Sequence, residues 1–201
     1  MFITVFKIDM TQLSYALECV FNHYKMHQWI AGVQHKSRSS ASTLYKIITN
    51  ENTMTAFLYV QSKDVFEAGD AEKDGFVFVK QINVYEMLET VQEGNRIYVH
   101  ILSVPFRRNK NKAIYLNDEK EIAKWVFEKL RKNGMVPASG ECRLSKEKDI
   151  EFEKGGRVHL SSYSVSGIVT VENKELFKKG VENGFCRNKC WGAGMILFKF
   201  A

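Results

Sequence analysis

Short β-type runs alternate with helix-spaced apolar residues along this chain, in an order that the second half repeats less cleanly than the first, and that alternation limits its fold more than any other feature. Phe2 to Ile8 is β-branched and aromatic. Met10, Leu13, Leu17, Val20, Phe21 and Tyr24 then recur at helical spacing, with Asp9 placed to cap the helix. Leu44 to Ile48 and Thr55 to Val60 flank Asn50-Glu-Asn52 as the arms of a hairpin. An acidic segment from Asp64 to Asp74, with Gly69 and Gly75, precedes the run Phe76 to Val84. The sum is a βαββαβ unit whose second helix is short or poorly formed.

The second half repeats the theme less cleanly. Arg96 to Val104 reads as a strand stopped by Pro105, and Asn117 or Asp118 opens a helix that turns Ile122, Trp125, Val126 and Leu130 inward and ends at Gly134 and Pro137. Tyr163, Val165, Gly167, Val169 and Val171 alternate at period two, which predicts one long strand from about Arg157 to Val171. A short helix over Asn173 to Asn183, using Leu176, Phe177 and Val181, and a strand over Met195 to Phe200 close the chain. The expected fold class is α+β, with tandem ferredoxin-like (RRM-like) βαββαβ units, antiparallel sheets and helices on one face. The units are expected over residues 1–90 and 91–201, joined near Glu86 to Asn95.

With 201 residues and 45% hydrophobic content the chain can bury a substantial core. No window of about 20 uncharged apolar residues suits a membrane span, and the N-terminal run lacks the charged start of a secretory signal. Cys19, Cys142, Cys186 and Cys190 match neither a paired C-x-x-C zinc site nor a dense disulfide framework, which points to free thiols in a reducing cytosol and to no catalytic metal or cofactor.

Net charge is +6, unevenly spread: residues 1–100 hold 9 Lys/Arg against 11 Asp/Glu, and residues 101–201 hold 20 against 12. Clustered cations favour a polyanionic partner, because phosphates are attracted over a Debye length and counterions are released on binding. RNA or DNA is preferred to a membrane surface, since no basic helix with a wide apolar face accompanies the charge.

Several segments can carry chemistry. Of the five histidines, His23, His27 and His35 crowd one window, and His100 and His159 stand apart. Tyr24 and His27 are three residues apart, hence on one helical face. Imidazole titrates near neutrality and can take or return a proton at a ribose 2′-hydroxyl, while a phenol orients the hydroxyl or stabilises charge on phosphate. Alternatively, Tyr24 and Trp29 read as core aromatics and His27 as a partly exposed helix residue. Arg107, Arg108, Lys110 and Lys112 form a basic loop at a strand end that suits phosphate contacts, or a solvated loop. Gly155, Gly156, Arg157 and His159 offer a further contact or a plain hairpin turn. Near the C-terminus, Gly184, Gly192 and Gly194 are spaced around Arg187 and Lys189. This arrangement suits a backbone approaching phosphate closely, or glycines where another element packs close.

Two of these segments, Tyr24-Lys-Met-His27-Gln-Trp29 and Gly184 to Phe198, resemble the CasE family, the CRISPR repeat endoribonuclease of the type I-E Cascade complex. The resemblance implies a tandem ferredoxin-like fold that binds the hairpin of a CRISPR repeat, cuts at the base of its stem, and stays with its product (crRNA) beside the other Cascade subunits in the cytoplasm. It implies that His27 and Tyr24 match the family's catalytic pair, and that Gly184, Lys189, Gly192 and Gly194 match its glycine-rich loop, with Arg187 and Lys189 facing phosphate. Cleavage by the 2′-hydroxyl would leave a 2′,3′-cyclic phosphate without a metal. A non-catalytic hairpin-binding subunit of the same fold is the alternative. The family's loop opens Gly-x-Gly, and this chain has Cys186 at the second glycine, where a thiol cannot supply positive-φ freedom.

Overall fold

The computed structural model describes residues 1–33, 43–66, 69, 71–110, 112–153, 156–187 and 189–201. His35 and Gly155 lie outside the described residues. The chain divides into two compact units. The first comprises Met1–Met87 with Glu151–Val158 and Cys190–Gly192, and the second comprises Leu88–Ile150, His159–Lys189 and Ala193–Ala201.

In the first unit, strand β1 (Phe2–Asp9) leads to helices α1 (Tyr15–Phe21) and α2 (His23–Val33), the hairpin β2 (Leu44–Asn50) and β3 (Thr55–Ser62), a single 3-10 turn at Ala71–Asp74, and β4 (Val77–Asn83). The sheet order is β2-β3-β1-β4, and β1 runs antiparallel to both neighbours. This is the ferredoxin-like order, with the 3-10 turn where the short second helix was expected. α3 (Val84–Thr90) follows directly and occupies the stretch read as a junction.

Asp9 does not cap the first helix; its carboxylate accepts from the Thr11 backbone N–H at 2.9 Å and from the Thr11 hydroxyl, closing a tight turn. The cap is Ser14, whose Oγ accepts from Leu17 N at 3.1 Å. The later start leaves Leu13 99% exposed and outside the helix. Nor is the helix continuous to Tyr24. Asn22 leaves the helical region (φ −131°, ψ 94°), and its Oδ1 accepts from Tyr24 N at 3.0 Å and Lys25 N at 3.2 Å, so it ends α1 and caps α2.

The core of this unit is aromatic. Phe6 meets Trp29, Phe66 and Phe76 edge to face at ring-centroid distances of 5.8, 5.8 and 6.2 Å, and Trp29 stacks on Phe76 at 3.7 Å. The Trp29 indole N–H donates to Asp74 Oδ2 at 2.9 Å, which satisfies the one polar atom the ring brings inside.

In the second unit, β5 (Arg96–Ser103), α4 (Glu119–Lys132), β8 (Met135–Lys146), β11 (Tyr163–Val171), α5 (Lys174–Asn183) and β12 (Ile196–Phe200) form a second βαββαβ set with sheet order β12-β5-β11-β8. Asp118 caps α4 by accepting from Glu121 N at 2.9 Å, and Asn173 caps α5 by accepting from Leu176 N at 2.8 Å. Pro137 lies inside β8, whose twelve residues carry no alternating signal, so the sequence reading does not include this strand. The single strand expected from Arg157 to Val171 is two elements: β10 (Arg157–Leu160), paired with β9 (Ile150–Glu153), and then β11. Buried Ser162 sits at the break and donates its hydroxyl to the Lys148 carbonyl at 2.9 Å. The basic segment after Pro105 is a hairpin rather than a loop, β6 (Phe106–Asn109) against β7 (Lys112–Tyr115), with Lys110 at φ +51° in its turn.

The capping assignment is testable. Ser14→Ala should lower unfolding stability by about 1 kcal/mol, and Asp9→Ala should have the smaller effect, both read from urea denaturation midpoints.

Candidate functional site

The roll of α2 follows from its core residues. Met26, Trp29 and Ile30 are buried, and at 100° per residue they turn Tyr24 and His27 onto another face, where both are half-buried. What they meet there is Trp191. Its ring centroid lies 6.2 Å from that of Tyr24 and 5.7 Å from that of His27, the latter nearly perpendicular. Phe152 packs against Trp191 at 4.1 Å. All four residues belong to the first unit.

Trp191 sits in a 3-10 turn over Lys189–Trp191, within the glycine-spaced segment. A second group of contacts holds the turn. Burial takes the His23 imidazole down to about 4, an effect the neighbouring Trp191 backbone partly offsets. His23 stacks on Tyr45 with Nδ1 3.3 Å from the phenol oxygen, and the Tyr45 hydroxyl lies 3.2 Å from the His23 carbonyl, to which it donates. Burial pushes the Tyr45 phenol well above its usual range, so it stays protonated.

The glycines have definite surroundings. Gly192 is buried at φ +82°, and a Cβ there would lie 3.0 Å from Tyr45 Cε2 and 3.3 Å from His23 Nδ1. Gly194, at φ +87°, donates its N–H to the Leu102 carbonyl and accepts from Phe185 N, both at 2.7 Å. The close approaches seen at these two positions are to protein. Gly184 ends α5 at φ +77°. Cys186 is buried, its thiol pushed up to about 11 by burial, and Sγ donates to the Arg187 carbonyl at 3.2 Å. Among the described residues the only non-glycines at positive φ are Met54 and Lys110, so Cys186 needs no glycine-like backbone.

The cations are spread over both units. Arg107 is exposed and pairs with Glu121 at 3.4 Å, while Arg108, Lys110 and Lys112 are exposed on the same hairpin. Arg187 is exposed, Lys189 is half-buried, and both belong to the second unit. Arg157 belongs to the first unit and pairs with Glu151 at 2.8 Å. His159 pairs with Asp149 at 2.8 Å in the second unit.

Along residues 1–199 the sequence matches the family described as CRISPR associated protein. The chain belongs to that family. The membership agrees with the kinship read from the two sequence segments. Among solved structures, the fold is similar to a CRISPR endoribonuclease Cse3 bound to 19 nt RNA, at TM-score 0.87 and 14% identity, covering 99% of this chain and 100% of that one. It is also similar to Thermus thermophilus Cse3 bound to an RNA representing a pre-cleavage complex, at TM-score 0.81, 14% identity and coverage of 99% and 100%. A third likeness is to a chain of a CRISPR RNA-guided surveillance complex, at TM-score 0.67, 14% identity and full coverage of both. No curated protein matches the sequence. At this identity the likenesses establish the fold. Among the described residues, no helix is long and apolar enough to cross a membrane.

Trp191, Phe152 and Tyr45 are site residues that no sequence motif singles out, and His23 stands out there only as one of the crowded histidines. The available signal is a large aromatic between Cys190 and Gly192, since an indole in a glycine-rich segment needs a partner surface.

Gly192→Ala should cost about 1–2 kcal/mol for its left-handed backbone alone, read as a lower denaturation midpoint, with more added if Tyr45 cannot give way. Neutral His23 stabilises the fold fully above the unfolded pKa of 6.5 and loses that contribution as pH falls toward about 4. The drop in Tm from pH 7 to pH 4.5 should therefore be smaller in His23→Asn than in the parent.

Proposed function

We propose that the chain is a metal-independent endoribonuclease that binds a CRISPR repeat hairpin, cleaves the precursor RNA, and keeps the product as a subunit of a Cascade-type complex in the cytoplasm. The observation that carries this reading is the side-by-side placement of Tyr24 and His27 on α2, both against Trp191. An imidazole and a phenol can together manage the two proton movements of 2′-hydroxyl attack. The attacking oxygen loses its proton, the P–O5′ bond breaks, and the 5′ oxygen takes a proton to leave a 5′-hydroxyl and a 2′,3′-cyclic phosphate. Support also comes from the family and from the fold shared with RNA-bound Cse3.

Grip is assigned to Arg107, Arg108, Lys110, Lys112, Arg157, Arg187 and Lys189, because A-form RNA is held through phosphate and shape. Gly184, Gly192 and Gly194 keep their place in this reading as the backbone frame of the loop bearing Arg187 and Lys189. The ion pairs of Arg107 with Glu121 and Arg157 with Glu151 would open or be shared with phosphate on binding.

The test is incubation with the cognate repeat RNA in EDTA. Product ending in cyclic phosphate supports the proposal, and a strict need for a divalent ion contradicts it. Tight binding without cutting would favour the non-catalytic hairpin-binding subunit. His27→Ala should abolish cleavage while leaving hairpin affinity within a few-fold. Removing charge at Arg107/Arg108 or Arg187/Lys189 should weaken binding and flatten its salt dependence, by roughly one unit of slope for each phosphate no longer neutralised. An unchanged slope would show that those cations face solvent.

A further inference from the structure

Tyr24 and His27 share one neighbour that is neither a cation nor an acid. Trp191 lies 6.2 Å from Tyr24 and 5.7 Å from His27 by ring centroids, and is backed by Phe152 at 4.1 Å. Its turn runs straight into a close contact: Gly192, next to Trp191, lies against His23 and Tyr45, which stack on each other, and a Cβ there would come within 3.0 Å of Tyr45 Cε2 and 3.3 Å of His23 Nδ1. The indole therefore has a defined position, and both side chains of the pair are packed on it.

We infer that Trp191 is a positioning residue for Tyr24 and His27, setting the orientation of the imidazole and its electrostatic surroundings from the glycine-rich segment. This rests on the reading of Tyr24 and His27 as the reacting pair. The physical basis has two parts. Packing against a large flat ring removes rotamers from both side chains before RNA arrives, which is the pre-organisation a reaction in a fixed geometry requires. The π system also interacts differently with imidazole and imidazolium.

The test uses the full chain, with Trp191→Leu and the conservative Trp191→Phe. Histidine Cε1–H resonances are followed by NMR through a pH titration without RNA. Single-turnover cleavage of a repeat hairpin is measured over the same pH range, and hairpin affinity separately. In the parent, the His27 resonance should show a cross-peak to the Trp191 indole. In Trp191→Leu the His27 titration midpoint should move by about half a unit or more, as expected when an aromatic partner of this kind is removed. Cleavage near neutrality should fall about tenfold or more, and the pH–rate profile should move with the NMR midpoint. Hairpin affinity should stay within about threefold, and Trp191→Phe should recover most of the rate.

Absence of the cross-peak in the parent overturns the inference, even if Trp191→Leu fails to fold. A His27 titration in folded Trp191→Leu that superimposes on the parent also overturns it. If the midpoint moves but the parent cuts no RNA, the positioning role stands and the endoribonuclease reading fails.

Discussion

The stacking of Trp29 on Phe76, closed by its hydrogen bond to Asp74, is the contact on which the candidate site depends. It locks the roll of α2 about its own axis. Phe6 and Phe66 complete the surround, and deleting a buried ring of this size typically costs about 3–5 kcal/mol. With Met26, Trp29 and Ile30 held inward, the geometry of a helix leaves no freedom in where Tyr24 and His27 emerge. Asn22 adds the second constraint by restarting the helix, so that Tyr24 lies in a capped first turn rather than midway along a longer helix.

Much of this is legible in the sequence because it rests on periodicity. The strands at Phe2, Leu44, Thr55, Arg96 and Met195 carry enough β-branched and aromatic residues to be read directly, and Asp118 and Asn173 cap their helices as such residues do. The departures fall where local chemistry offers two equal solutions. Asp9 and Ser14 are both good caps, and the choice is made by how far β1 extends against β3, up to the Asp9–Thr55 pair. β8 lacks alternation and contains Pro137, so its existence is a consequence of pairing with β11. The basic segment after Pro105 becomes a ribbon because Phe106 and Tyr115 face each other across it, a pairing that charge alone conceals.

The site is legible in part for the same reason. Tyr24 and His27 are a spacing argument, and spacing survives into three dimensions. Trp191, Phe152, His23 and Tyr45 come together from four distant stretches of chain, which no local pattern records. The glycine-rich segment illustrates the difference. Its glycines suggest room for phosphate, yet Gly192 and Gly194 use their freedom to approach Tyr45, His23, Leu102 and Phe185. The 3-10 turn before them, Lys189–Trp191, ends on the indole of Trp191.

The central claim is that an imidazole and a phenol on α2 act on a ribose 2′-hydroxyl. It is tested most directly by replacing that one hydroxyl with hydrogen at the nucleotide 5′ to the cut, in an otherwise unchanged repeat hairpin. The account predicts that this RNA binds as tightly as its parent and is not cleaved. Cleavage of the 2′-deoxy hairpin at the same bond would contradict it.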